Sequence, residues 1–334
     1  MITSKTGSGK PLLVTGGAGL LGNELMLQLL NRGESVLAIQ HATAITINHP
    51  NLRVETCSIN DIIGLTELMQ EVDGVYHCAG KVSFLPSEKR SLYKVNVEGT
   101  ANLVEACLSA SVRKLIHVSS VAVLEKRQGT DLITEDMLWS GSAKRSAYGE
   151  SKQDGELEVW RGSAEGLEMA IVNPSIILGE GNWDEGSTAL FKNVYNEFPW
   201  YSEGVNGFVD VKDVARLMIM LMESDVSNER FIISAENISY QQLFEKIAAA
   251  FHKRPPHKKI TPFLAGLAWR VERLKYRFSG KKPLVTRETA TTALRESKYC
   301  NQKILNAFPE FSFTSIDETI KRVAASMQQK LNKP

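Results

Sequence analysis

Through the first half of the chain, short and mostly continuous apolar runs with Val, Ile and Leu prominent alternate with longer runs in which apolar residues recur every three to four positions. The continuous runs are Leu12–Thr15, Ser35–Ile39, Leu52–Cys57, Gly74–Cys78, Leu115–Ser119 and Met169–Val172. A strand apolar at successive positions is covered on both faces, so these runs predict parallel strands inside a two-sided sheet. The periodic runs between them, among them Asn23–Asn31, Ile62–Gln70, Ser91–Ala110 and Ala147–Arg161, predict the covering helices. Strand and helix repeating in this order predict right-handed crossovers and a doubly wound parallel sheet of the α/β class.

The rhythm changes after Pro174. Residues 179–206 are rich in Gly, Asn and aromatic residues, with one helix expected over Thr188–Glu197. A short strand (Phe208–Asp210), a helix (Val211–Met222) and a strand (Glu229–Ser234) follow. Beyond Ser239 the periodicity predicts helices at Tyr240–Phe251, Pro262–Phe278, Arg287–Arg295 and Ser315–Lys330, with turns at Pro255-Pro256 and Gly280-Lys281-Lys282-Pro283. The reading is a main domain over residues 11–178, rejoined by segments around 208–234. A smaller, mainly helical lobe comes from 179–207 and 235–334, over the C-terminal ends of the strands. Residues 1–10 are polar and read as a flexible terminus. Within them Gly7-Ser8-Gly9-Lys10 has neither a preceding strand nor a hydroxyl residue after the lysine, so it is not read as a phosphate loop.

Charge narrows the partners. The 39 basic and 38 acidic residues leave a net charge of +1, which gives no footprint for nucleic acid. The four cysteines (Cys57, Cys78, Cys107 and Cys300) lack metal-ligand spacing, so no metal is expected; the first three sit in apolar runs and read as reduced core residues. The polar start is not a secretory leader and no run is long enough to span a bilayer, so the expected compartment is cytoplasmic.

Three stretches carry chemistry. Thr15-Gly16-Gly17-Ala18-Gly19-Leu20-Leu21-Gly22 joins the first strand to the first helix. Glycines let that turn approach a pyrophosphate closely, and the helix N-terminus faces the anion. Tyr148 and Lys152 lie four residues apart, one turn on the same helix face. A lysine ammonium beside a phenol lowers its pKa from near 10, and such a tyrosine can pass a proton to or from a carbonyl or alcohol oxygen. His117-Val118-Ser119-Ser120 ends a strand. Alternation allows only one of the two serines to face a pocket, and Ser120 is the catalytic candidate.

Together these stretches resemble the extended short-chain dehydrogenase/reductase family, the NAD-dependent epimerases and dehydratases. The resemblance runs in order along residues 11 to 325. Thr15 to Gly22 is similar to the T-G-x-x-G-x-x-G turn, His77-Cys78-Ala79-Gly80 to H-x-A-A, and Asn96-Val97-Glu98-Gly99-Thr100 to N-V-x-G-T. Ser120, Tyr148 and Lys152 fall where the family carries its catalytic Ser, Tyr and Lys; Asn173-Pro174-Ser175 is similar to N-P-[ST], and Phe208 to Ala215 to a late motif. The resemblance implies that residues 11–178 form a dinucleotide-binding domain. It implies cofactor contacts from Gly16, Gly19, Leu20, Leu21, Gly22, Gln40, His41, Ser58, Ile59, Cys78, Ala79, Gly80, Val118, Tyr148, Lys152, Pro174 and Ser175. Substrate contacts are expected from Ser83, Phe84, Ser120 and Ile177. Asn96 is a structural or relay residue by resemblance and a helix N-cap on the residues alone. The family also implies a homodimer through the helices bearing Asn96 and Tyr148.

The departures matter. Ser58 stands where an acidic residue often meets the adenine, and Asp61 is expected to cap the next helix. Gln40-His41 ends the second strand with neither the carboxylate that binds NAD ribose nor the arginine that binds the NADP phosphate, which leans the cofactor to NADP and leaves NAD open. The family divides between sugar-nucleotide epimerases or dehydratases and carbonyl reductases or alcohol dehydrogenases. No acid follows Ser120, no arginine precedes Phe208, and Asn173 to Gly179 resembles the dihydroflavonol reductase and 3β-hydroxysteroid dehydrogenase branch, as do helices expected at Pro262–Phe278 and Ser297–Phe311. The expected activity is hydride transfer between NAD(P) and a ketone or aldehyde. An aromatic loop (Trp183, Phe191, Tyr195, Phe198, Trp200, Tyr201) suits an apolar or aromatic substrate, though each ring also fits a core role. A sugar-nucleotide epimerase or dehydratase is the alternative, and a non-catalytic NADP-binding regulator the alternative of another class. Basic residues from Lys253 to Lys282 surround the apolar helix at 262–278; the first reading is a lid packed on the lobe, and contact with a membrane surface is the second.

Overall fold

The computed structural model describes residues 9–139, 146–184, 186–279, 283 and 285–331. Residues 1–8 of the polar terminus and Gly280, Lys281 and Lys282 of the expected turn lie outside them, as does the side chain of Arg277. The described strands are β1 (Leu12–Thr15), β2 (Val36–Gln40), β3 (Leu52–Thr56), β4 (Gly74–His77), β5 (Lys114–Val118), β6 (Met169–Pro174), β7 (Ile176–Leu178), β8 (Trp200–Tyr201), β9 (Val205–Asp210), β10 (Glu229–Ile233), β11 (Glu236–Ser239) and β12 (Lys258–Lys259). The helices are α1 (Leu20–Asn31), α2 (Ile62–Met69), α3 (Lys89–Tyr93), α4 (Gly99–Ser109), α5 (Ala147–Ala164), α6 (Thr188–Tyr195), α7 (Val211–Glu223), α8 (Tyr240–Phe251), α9 (Pro262–Ser279), α10 (Arg287–Thr292), α11 (Gln302–Ala307) and α12 (Ile316–Leu331).

The continuous apolar runs form one parallel sheet in the order β10-β6-β5-β4-β1-β2-β3. Helices cover both faces, which is why the strands need no polar side. Leu25 and Leu29 of α1, Met218 of α7 and Ile304 of α11 share one core, whereas Leu65 of α2, Leu103 of α4 and Val159 of α5 share the other. Strand order reverses between β1 and β4, and the crevice beyond their C-terminal ends is where such sheets take ligands.

β7, β9 and β11 form a second sheet, under α6, α8 and α12. Residues 205–210 thus belong to the small sheet, while α7 and β10 return to the large one. Carboxylates in the first turn of α7, where the helix dipole favours them, tie the two parts together. Asp210 caps α7 at Lys212 N (2.8 Å), accepts from Thr319 Oγ1 (2.8 Å) and pairs with Arg322 of α12; Asp213 accepts from Thr314 N (2.6 Å).

Two expectations change, and two choices between readings are narrowed. Ser91–Ala110 is not one α-helix: a π-helical turn at Lys94–Glu98 joins α3 to α4. Within the expected helical stretch 297–311, the helix is confined to α11, because Tyr299 bridges to Ile133 in extended form. Trp183, Phe191 and Tyr195 of the aromatic loop pack round Phe251 at ring separations of 5.3–6.4 Å, as lobe core. α9 rests on the protein through buried Ala265 and half-buried Trp269, but its main apolar stripe faces outward; Phe263 is 79% and Phe278 81% exposed.

Candidate active site

β1 runs directly into Gly16, whose φ is +69°. A Cβ at Gly16 would lie 2.6 Å from Ala79 N, and one at Gly22 would lie 2.3 Å from Gly16 O. The turn is therefore folded down on the end of β4, and only glycine fits at both positions. Gly19 begins α1, its N–H donating to Gly16 O (3.0 Å), and the first turn holds no acidic residue. The dipole end of α1 is left to face an anion, a fit for a pyrophosphate. Leu20 is half-buried beside it and Leu21 buried.

His77 ties this turn to the next layer. Thr100 Oγ1 donates to Asn96 O (2.8 Å), so it accepts from His77 Nε2 (3.0 Å). Thr15 Oγ1 then donates to His77 Nδ1 (2.8 Å) and accepts from Ala79 N (3.0 Å). This assigns His77 the neutral Nε2–H tautomer. Burial first, and then the Lys152 charge, push its pKa down to about 3.

Ser120 and Tyr148 meet through a side-chain hydrogen bond, although α5 and β5 are separate elements. Ser120 Oγ also accepts from Ala122 N (3.1 Å), which fixes its rotamer. Ser119 faces the interior, 4% exposed, as the alternation requires. Ser146 caps α5 by accepting from Gly149 N (2.8 Å), setting the first turn that carries Tyr148. Phe84 packs edge-on against the Tyr148 ring at 5.7 Å. Burial pushes the Tyr148 pKa up, opposed by the Ser120 bond, so the phenol is protonated near neutrality.

Lys152 is buried, and its Nζ donates to Val118 O (2.7 Å). A Cβ on Gly80 would lie 3.3 Å from Lys152 Nζ and 3.5 Å from Asn96 Oδ1, so these groups converge beyond β4 and β5. Burial lowers the Lys152 pKa to about 8, with Glu156 and Cys78 opposing the shift. The expected lowering of the tyrosine pKa by this lysine does not appear in the fold: burial raises the phenol, and the Ser120 bond opposes it. Cys78, half-buried rather than core, has its thiol pushed up to about 12 by burial.

Asn96 lies inside the π turn and caps no helix. Its Oδ1 accepts from Lys81 N (2.7 Å), and its Nδ2 donates to Lys81 O (2.9 Å) and Ser151 Oγ (2.9 Å). It clamps the segment following Gly80 against α5. Sequence reasoning also missed the layer beneath. Glu156 is 2% exposed; its Oε1 pairs with Arg230 Nη2 of β10 (2.9 Å) and its Oε2 accepts from Asn173 Nδ2 (3.0 Å). Asn173 Nδ2 also donates to Ser120 O (3.2 Å). The available signal was spacing: Tyr148, Lys152 and Glu156 recur every four residues on one face of α5.

Other expected contacts are dispersed or engaged. Gln40 Oε1 accepts from Ile45 N (3.0 Å), which holds the loop after β2 and leaves His41 exposed. Ser58 Oγ accepts from Asn60 N (3.2 Å), Ile59 packs on Gly99, and Asp61 caps α2 at Gly64 N (3.1 Å) as expected. Ser83 is buried and accepts from Leu85 N (3.2 Å). Ser175 is buried, its N–H donating to Ile233 O (3.0 Å), with Pro174 in register with Ile233. Ile177 is half-buried and pairs with Val209 in the small sheet. Among the described residues no cluster of metal-ligating side chains occurs.

Comparison with known proteins agrees with this architecture. The NAD dependent epimerase/dehydratase family model matches residues 12–234. The chain is similar to "Sterol demethylase protein B" of Methylococcus capsulatus, 28% identical over 80% of this chain and 82% of the relative. It is also similar to a "Putative dihydroflavonol 4-reductase" of Synechocystis, 27% identical over 86% of this chain and 85% of the relative. Among solved structures, gox2253 superposes with a TM-score of 0.81 at 27% identity, covering 96% of this chain and 98% of that one.

Proposed function

This chain belongs to the NAD-dependent epimerase/dehydratase family of enzymes acting on CH–OH groups, and on that premise we propose that it interconverts an apolar or aromatic ketone or aldehyde with its alcohol. The observation that carries the reading is the Ser120–Tyr148 hydroxyl pair with Phe84 against the phenol and Lys152 one turn along α5. When bound, the nicotinamide supplies or accepts the hydride. Ser120 Oγ and the Tyr148 hydroxyl both direct polar hydrogen-bonding atoms to one substrate oxygen. Tyr148 gives that oxygen its proton in reduction and takes it back in oxidation; burial keeps the phenol in the donor form. Lys152 holds the cofactor ribose hydroxyls. Phe84 offers an apolar wall beside the phenol, which suits a substrate with little charge.

Gly16 and Gly22 let the turn close tightly beside the N-terminus of α1, where the pyrophosphate would be held. NADP is the favoured cofactor: no carboxylate ends β2, and Gln40 is occupied at Ile45, leaving exposed His41 to meet a phosphate. Calorimetric titration of NADPH and NADH tests this. NADPH binds the tighter of the two, and His41→Asp reverses the preference by about tenfold, or about 1.4 kcal/mol. Equal affinities in the wild type rule it out. The activity is tested by Tyr148→Phe, followed as cofactor oxidation across ketones, aldehydes and sugar nucleotides. Turnover falls about 10²–10⁴-fold on the apolar carbonyls. Wild-type turnover confined to sugar nucleotides, or near wild-type turnover in the variant, would reject the proposal.

A further inference from the structure

α9 turns its apolar residues away from the protein. At 3.6 residues per turn, Phe263, Leu264, Leu267, Val271, Leu274 and Phe278 fall within an arc of about 100° along about 22 Å of helix. All six are exposed, from 36% at Leu264 to 81% at Phe278. The nearly opposite seam, Ala265, Trp269, Glu272 and Tyr276, is buried or half-buried against the protein. The stripe is therefore not a core face awaiting the lobe, since α9 already rests on its other side. Arg270 and Arg273 border one margin of the stripe and Lys275 the other. The single acid of the helix, Glu272, lies on the inner seam with its side chain 17% exposed, paired to Lys275 at 3.0 Å.

We propose that α9 is the docking face of this protein for an anionic lipid surface, lying in the plane of the headgroups with the stripe inserted. Charge selects this occupant. A second copy packed stripe to stripe would set arginine margins against one another, whereas acidic headgroups neutralise both margins at once. A flat bilayer also accepts a straight stripe of large side chains with no complementary groove. Among the described residues no helix is long and apolar enough to cross a membrane, so α9 lies on the surface rather than spanning it. The stripe includes none of Ser120, Tyr148 and Lys152, and the proposal does not depend on the reaction those residues perform.

The test is vesicle flotation of the full chain, with phosphatidylcholine vesicles and with vesicles containing phosphatidylglycerol. The expected result is binding to the anionic vesicles that weakens as salt is raised, and little binding to phosphatidylcholine alone. Arg270→Gln with Arg273→Gln weakens binding about 25-fold, at about fivefold per basic residue. Leu267→Asp with Leu274→Asp abolishes it, while the melting temperature and cofactor affinity of both variants stay at wild-type values. The proposal is overturned if the wild type does not float with anionic vesicles at low salt, or if the leucine variant floats as well as the wild type. It is likewise overturned by equal binding to both vesicle types, or by sedimentation showing self-association that the leucine variant removes without any vesicle binding.

Discussion

α5 and α9 are both 18 residues long, and each inverts the usual placement of side chains in its own way. α5 buries charge: Lys152 and Glu156 lie against the sheet, 6% and 2% exposed. α9 exposes hydrocarbon: Phe263, Leu267 and Leu274 face outward. In α5 every buried polar group is answered locally, Lys152 by Val118 O and Glu156 by Arg230 and Asn173. In α9 nothing within the described residues answers the apolar stripe. Buried charge that is paired belongs to machinery completed inside the chain, and exposed hydrocarbon belongs to a surface completed from outside.

The contrast predicts effects of very different size. Tyr148→Phe on α5 removes the proton donor and costs about 10²–10⁴ in turnover with little change in stability; steady-state rates beside a thermal melt check both halves. Arg230→Met leaves Glu156 buried and unpaired, and destabilises the fold by about 3–5 kcal/mol in urea titration. Adding Glu156→Gln to it recovers part of that loss, because the stranded charge is gone. A loss below about 1 kcal/mol for Arg230→Met would show that the pair is solvated and the contrast false.

The buried polar layer also responds to acid. His77 has its pKa lowered to about 3, and His117, with no hydrogen-bond partner for either ring nitrogen among the described residues, is pushed well below its ordinary value by burial. Between pH 6.5 and about 3 the unfolded chain binds protons at His77 that the folded chain does not, so stability falls as pH falls through that window. Each histidine contributes a slope approaching about 1.4 kcal/mol per pH unit, and His117→Leu removes its share. Urea titrations at several pH values between 7.5 and 4.5 check this. The smallest effect belongs to α9: Leu274→Ser changes stability by no more than about 0.5 kcal/mol, since the side chain is 58% exposed. A larger loss by thermal melt would mean that the stripe is covered by the protein's own core.

The parts legible in sequence are those whose physical requirement is local. Thr15 to Gly22 reads as a phosphate turn because positive φ and close backbone approach demand glycine where they occur. Tyr148 and Lys152 are visible because four residues on a helix place them on one face. Asp61 reads as a cap from its position before an apolar periodic run. The N-cap reading of Asn96 failed, because a π turn has no signature distinguishing it from an α-helix start. Gln40 and Ser83 looked free for ligands; their neighbours Ile45 and Leu85 claim them through loop geometry that composition does not encode. The pair Glu156 and Arg230 was hidden because the two lie 74 positions apart in the chain.

By itself the sequence determined the elements and their class. Unbroken apolar runs must be covered on both faces, and the periodic runs between them must supply the cover. It also marked Ser120, Tyr148 and Lys152 as candidates for the chemistry, by type, spacing and order along the chain. Only the tertiary structure decided what those side chains experience. Burial raises Tyr148 and lowers Lys152, against the first expectation for the phenol, because desolvation depends on everything packed around a group. It decided as well which face of α9 meets the protein. An amphipathic helix carries two candidate faces in its sequence, and only the seat of Ala265, Trp269, Glu272 and Tyr276 left the apolar one turned outward.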